Sequence, residues 1–451
     1  MEDDPVPATQ QEEDGSAPGL ARVVHLVEEV ALGEAIAYEG RRLTVSADEA
    51  AAVVADPALA RVSVRWVSPG QPVRVVKLLD AVEPRTKGRG GGGIFPGFVG
   101  PARAQGRADT HVLRGAAVVV AGYLPRAQEA VLDMSGPAAE LSPLARTHNL
   151  VVEFTPADGA GWEAVEEALR RGALALATRL ADAALDAAPD AVEQLPAMGA
   201  PGGSGLPRVA ALANLQTQGA FKDVFVYGRS FATALPTLVD ANELEDGAVV
   251  SGQYGHPGLK NPTFVHQNHP VVAALRSRHG RDLEFVGVVL SPEPVDQGRK
   301  ELMAAHASRL CAAAGLDGLV VTKEGGGNAD GDMSLKMDAL EELGLTAVGL
   351  FAEMAGPDGT GPSLVVPPSR AAAMVSTGNY DERLTLPAVE EAVGGEQLAL
   401  LGVPAGEEVA LPTAVVYCSL SPLGAGLLTC QEATEVAEEA APPGPGPDGG
   451  P

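Results

Sequence analysis

The chain has 451 residues, 45% of them hydrophobic and 20% charged, which is enough apolar material for a full core and rules out wholesale disorder. At roughly 150 residues per domain, the length fits about three domains, or one large α/β domain beside a smaller one. Acidic residues outnumber basic ones 59 to 32 and aromatics are only 4%, so the field repels nucleic-acid phosphate and anionic membranes, and few rings are left to stack bases.

Residues 1–18 form an acidic leader without a base, expected to be disordered. Strands are predicted over 21–30 and 42–45, and a helix over 47–56 with Asp48 and Glu49 in its first turn, where the macrodipole favours them. Residues 61–67 alternate with period two, as a half-buried strand does. The glycine-rich stretch 88–101 must be a long loop. Residues 116–122 and 149–154 are short, apolar and β-branched, hence buried strands, and 161–187 carries a long helical pattern. Residues 19–187 thus predict an N-terminal α+β domain. Three prolines and four glycines in 188–206 predict a linker.

From 207 to 430 the rhythm changes. Strands at 208–213, 283–290, 318–322 and 346–351 alternate with helices at 270–279, 297–314 and 332–343. That is the pattern of a doubly wound, mostly parallel-sheet α/β domain, in which ligands bind at the carboxyl ends of strands. Residues 431–451 are a second acidic tail, again expected to be disordered.

The sharpest local motif is Glu324-Gly325-Gly326-Gly327-Asn328-Ala329-Asp330, between the strand 318–322 and the helix. Consecutive glycines let backbone amides approach a ligand, and a helix N-terminus offers unpaired N–H groups. At least one of the three glycines is expected at positive φ. The bland alternative is a permissive turn with Asp330 as N-cap. The string is not a dinucleotide fingerprint, and its only nearby lysine, Lys323, precedes the glycines. His266 and His269 have the i,i+3 spacing that could place two metal ligands on one helix face, although packing is the simpler reading and no metal is expected. Cys311, Cys418 and Cys430 cannot make a disulfide framework. Cys311 reads as core and Cys418 follows a strand-like segment, 414–417. An acidic start that suits no signal peptide, and the lack of a membrane-length apolar run, give the expectation of a cytoplasmic protein.

The loop string resembles the Glu-Gly-x-Gly-Asn-Pro-Asp-Ala-Asp signature of component B of the glycine, sarcosine and betaine reductases, in the proprotein that yields its α and β subunits. The resemblance runs in order over roughly residues 20–390. It includes Ala81-Val82-Glu83-Pro84-Arg85, Thr110-His111-Val112-Leu113, Asp133-Met134-Ser135-Gly136-Pro137, Asp246-Gly247-Ala248-Val249-Val250-Ser251-Gly252 and Ser376-Thr377-Gly378-Asn379. It implies a subunit that captures a small amino acid or N-substituted glycine. A partner subunit bearing Cys or Sec would cleave the C–N bond, with electrons from selenoprotein A-like and thioredoxin-like proteins. Glu324, Gly325, Gly326, Gly327, Asn328, Asp330 and His111 become the substrate-binding candidates.

The family forms a pyruvoyl group by self-cleavage before an internal cysteine. Without gaps, Pro257 falls at that position, so no pyruvoyl cofactor is expected and the chain should stay whole. Ser251, expected in a turn, and Cys418 remain weak catalytic candidates. The family tends to carry aromatics at the positions of His266 and His269. Two hypotheses stay open: a substrate-binding enzyme subunit, and a non-catalytic scaffold that has lost pyruvoyl formation and serves another, biosynthetic pathway.

Overall fold

The computed structural model describes residues 19–89, 93–197, 204–217, 222–398 and 401–427. The two acidic tails and Cys430 lie outside the described residues. The fold is mixed α/β, and no helix among the described residues is long and apolar enough to cross a membrane.

Two four-stranded sheets dominate the N-terminal half. One runs in the order Leu59–Val67, His148–Pro156, Ala116–Ala121 and Leu78–Val82. Ala116, Val118 and Val120 face the long helix Trp162–Asp182, whose Val165, Leu169, Leu176 and Leu180 share their core. Ala117, Val119 and Ala121 face the opposite layer with Val75, Leu132 and Tyr417. Burial on both faces is why this strand reads as one unbroken apolar run. The other sheet orders Ala191–Leu195, Leu20–Leu26, Ala108–Arg114 and Arg85–Lys87.

Three expectations change here. The strand predicted over 21–30 is two, Leu20–Leu26 and Glu29–Leu32, because the chain leaves the first sheet where Val27 N–H bonds to the Arg114 carbonyl. The linker 188–206 is not all linker. Ala191–Leu195 pairs antiparallel with Leu20–Leu26, and the Asp190 carboxylate accepts from Leu26 N–H. All four of its glycines and two of its three prolines follow Leu195, while AVEQL itself can extend. Finally, the stretch 207–430 does not keep to a domain of its own: Glu391–Val393 pairs in parallel with Val73–Val76, and Val416 bridges Val131.

The C-terminal half holds a six-stranded sheet in the order Thr237–Val239, Glu284–Glu293, Arg208–Gln216, Gly318–Thr322, Thr346–Glu353 and Ala373–Asn379. All its pairs are parallel except the one at the Thr237–Val239 edge. Ala210 and Leu212 face the helices Gln297–Ala313 and Asn328–Glu342, whereas Ala211, Ala213 and Leu215 face the helix Pro270–Arg278. From Arg208–Gln216 the chain passes first to one neighbouring strand and then, on the opposite side, to Gly318–Thr322. The strand order therefore reverses between these two, and a crevice at their carboxyl ends is where such sheets bind ligands.

Candidate functional site

The glycine loop leaves Gly318–Thr322 at that crevice. Gly325 has φ +74° and Gly327 φ +71°, so two of the three glycines occupy the left-handed region, as the sharp strand-to-helix turn requires. The helix starts at Asn328 with Gly327 as N-cap, four residues before the predicted start, and Asp330 lies in its first turn rather than at its cap. Among the described residues, the amides of Gly325, Gly326 and Gly327 donate to no protein acceptor. A Cβ on Gly326 would sit 2.6 Å from the Met354 sulfur, and one on Gly325 would sit 3.3 Å from the Gln216 amide nitrogen.

Glu324 is buried and held on every side. Its Oε2 accepts from Gln216 N–H at 2.7 Å, and its Oε1 faces His266 Nε2 at 3.1 Å and Asn261 Nδ2 at 3.5 Å. Its own N–H donates to Glu293 Oε1 at 2.9 Å. Burial, reinforced by Asp332, raises the Glu293 carboxyl well above the usual carboxylate range. Asp330 forms a fully buried ion pair with Lys323, and its Oδ2 accepts from Val365 N–H, so both its oxygens are committed to the fold. Asn328 accepts from Lys300 Nζ at 2.5 Å.

A second polar cluster adjoins through His266 and Lys260. Lys260 Nζ donates to Ser251 Oγ at 2.6 Å. Ser251 N–H donates to Thr263 Oγ1, whose own hydroxyl donates to Asp80 Oδ2 at 2.6 Å. Burial pushes Lys260 down and Asp80 up, each toward its neutral form, although their mutual attraction opposes both shifts. Ser251 lies on the strand Val249–Gln253 and not in the expected turn. Cys418 follows a 3-10 turn, Thr413–Val415, rather than a strand. Its thiol is buried and pushed up by burial, the opposite of what a thiolate nucleophile needs. Its N–H bonds the carbonyl of Pro257 at 2.9 Å, and Leu420 N–H bonds that of Gly258 at 2.8 Å. Residues 418–420 therefore strap down the turn Pro257–Leu259. A cleft of about 520 Å³ opens beyond this turn, lined by Pro257, Tyr380, Ala414 and Lys77 among others.

The structure gathers Glu324, His266, Ser251 and Cys418 around the Pro257–Thr263 segment. His111 lies elsewhere, on Ala108–Arg114, stacked on His25 with its Nδ1 3.0 Å from His25 Nε2. Burial lowers the pKa of both rings. The i,i+3 pairing of His266 with His269 is not realised as a ligand pair. His266 ends one short helix facing Glu324, whereas His269 caps the next, accepting from Val272 N–H. The His269 pKa falls to about 3, first through burial and then through His266 and Arg276. Among the described residues no three His, Cys, Asp or Glu side chains converge as a metal would require. Glu293, Gln216, Lys260 and Asp80 escaped the sequence reading. For the first two a signal existed: polar residues ending apolar strands, as in FVGVVLSPE and VAALANLQ.

The profile described as "Glycine/sarcosine/betaine reductase component B subunits" matches residues 20–410. The chain belongs to this family. "Glycine reductase complex component B subunits alpha and beta" of Peptoclostridium acidaminophilum is 39% identical over 330 residues, 72% of this chain and 77% of that protein. Its counterpart from Acetoanaerobium sticklandii is 34% identical over 393 residues, 84% and 90% of the two chains. "Sarcosine reductase complex component B subunit alpha" of Peptoclostridium acidaminophilum is 34% identical over 380 residues, 82% and 87%. No solved structure matches significantly. The component B profile spans both polar clusters, from Asp80 to Asp330, and ends before Cys418.

Proposed function

We propose that this chain is the α/β-type subunit of a component B module. In this reading it holds a small amino acid or N-substituted glycine while a partner subunit's Cys or Sec performs reductive C–N cleavage. Selenoprotein A-like and thioredoxin-like proteins would supply the electrons. The observation that carries the reading is the Glu324–Asn328 loop: three amides with no protein acceptor follow directly on the buried carboxylate of Glu324. Amide donors suit a substrate carboxylate, and carboxylates suit an ammonium or N-alkyl ammonium group.

The residues present do not fit a pyruvoyl group. Pro257 has no side-chain nucleophile for an acyl shift, and its carbonyl is engaged by Cys418 N–H inside a buried turn. Ser251 Oγ accepts from Lys260, and the Cys418 thiol is held protonated by burial. The chain is therefore expected to remain one continuous polypeptide. This same observation favours the second reading, a scaffold subunit that shapes a partner's site.

Calorimetric titration of the purified chain with glycine, sarcosine and betaine tests the choice, alongside its intact mass. Saturable binding of one of them, lost in Gly326→Val, is the expected result. No binding by a folded, uncleaved chain would leave the scaffold reading, and two fragments split near residues 250–265 would restore the pyruvoyl route.

A further inference from the structure

The face of the parallel sheet beneath Asn328–Glu342 carries a feature that substrate capture leaves unexplained. Strand alternation places Asn214 and Gln216 on the side of Ala210 and Leu212, and Ser291 and Glu293 on the side of Val289, all toward the same two helices. The parallel register sets Asn214 beside Ser291 and Gln216 beside Glu293. All four are buried. Asn214 Oδ1, Gln216 Oε1, Ser291 Oγ and Glu293 Oε2 have no hydrogen-bond partner among the described residues, and neither has Oδ1 of the buried Asp332 in the covering helix. Lys336, the ion-pair partner of Asp332, donates to the carbonyl of Pro292, between Ser291 and Glu293, which brings the helix down onto this strand end.

Five buried oxygens without partners at one end of one sheet face are costly unless something satisfies them. Asn214 Nδ2 is already spent on the Thr322 carbonyl, so that amide turns its oxygen to the group. We propose that these oxygens form a binding site for a monovalent alkali cation, Na⁺ or K⁺, seated between Asn214, Ser291, Gln216 and Glu293 and roofed by Asp332. The ligand set is oxygen only, which suits hard cations and excludes soft transition metals. Of the two carboxylates that line the site, Asp332 is already paired with Lys336 whereas Glu293 has no ion-pair partner among the described residues, so a single positive charge suffices. Burial raises both Glu293 and Asp332, and Asp332 and Glu324 add repulsion at Glu293 that a bound cation relieves. Because Glu293 also accepts from Glu324 N–H, the cation would brace the glycine loop from below. The site stands whether or not that loop holds an amino acid.

The test is thermal unfolding of the full chain in choline chloride against NaCl and KCl at matched ionic strength, repeated for Glu293→Gln and Ser291→Ala. We expect a rise of roughly 3–6 °C in Na⁺ or K⁺ over choline. That rise should vanish in Glu293→Gln and shrink in Ser291→Ala. The serine hydroxyl has no protein partner to lose, so its removal alone leaves the fold intact and keeps the test readable if Glu293→Gln fails to fold. Equal midpoints in all three salts, or a rise that both variants retain in full, would overturn the site and leave water as what satisfies the oxygens. Stabilisation by millimolar Mg²⁺ or Ca²⁺ but not by Na⁺ or K⁺ would overturn the monovalent assignment.

Discussion

Buried charge is handled in two ways in this molecule. In the N-terminal half, Arg74 sends Nε and Nη2 to Asp133 and its remaining N–H groups to the carbonyls of Pro387, Ala405 and Glu407. Arg85 likewise fills its fork with Glu83, Glu245 and Asn268. A guanidinium has five donors, and both arginines spend all of theirs on the protein. At the carboxyl end of the parallel sheet the reverse holds: loop amides and five side-chain oxygens find no partner among the described residues. Saturated networks fix a fold and offer a ligand nothing, whereas unsaturated ones cost stability that only a bound group returns.

The largest effect should come from breaking a saturated network. Arg74→Met leaves Asp133 buried without its counter-charge and should cost about 3–5 kcal/mol. Urea titration measures it, and a loss below about 1 kcal/mol would mean the network is dispensable. Next comes acid. The Glu245 carboxyl is buried, yet Arg85, Arg22 and Arg276 draw its pKa down to about 2. A depressed carboxylate contributes stability that is complete above its unfolded value near 4.5 and is lost as pH falls toward 2. His269, depressed to about 3, acts in the same direction, its contribution fading from about pH 6.5 downward. These two groups should therefore withdraw stability between pH 6.5 and 3, about 2 kcal/mol of it from Glu245 alone; a Glu245→Gln variant whose pH profile matches that of the unaltered chain would contradict the assignment.

On the unsaturated side the cost should shift from stability to binding. Gly326→Val must displace the Met354 sulfur, a flexible neighbour, so we expect about 1–3 kcal/mol of destabilisation with complete loss of amino-acid binding. A variant that binds normally would demote the loop to a connector. The smallest effect concerns the thiols. Cys311, whose pKa is raised to about 12, and Cys418 should both resist a thiol reagent in the native state and react only on unfolding. Cys311→Ala should cost roughly 1 kcal/mol, since only a sulfur-sized gap is left.

Sequence legibility followed the same division. Ala116–Ala121 and Arg208–Gln216 were readable because burial on both faces leaves an apolar run. Ala191–Leu195 was not, since a half-exposed edge strand beside prolines has no such signature. The start of Asn328–Glu342 was misplaced because three glycines in a row do not say which of them turns the chain. Glu324 stood out by following a strand. Asp80 could not, because its contact with Thr263 spans 183 residues and no local pattern encodes a partner that far away.

The pairing of Glu391–Val393 with Val73–Val76 bears on synthesis. Arg74 meets Asp133 early, but its Nη1 acceptor at Ala405 lies 331 residues downstream. At bacterial-like elongation of about 5–20 residues per second, that nitrogen waits roughly 15–65 s for its acceptor. Until the last of these residues leaves the ribosome, the strand Val73–Val76 has an open edge, and a truncated transcript would leave it open for good.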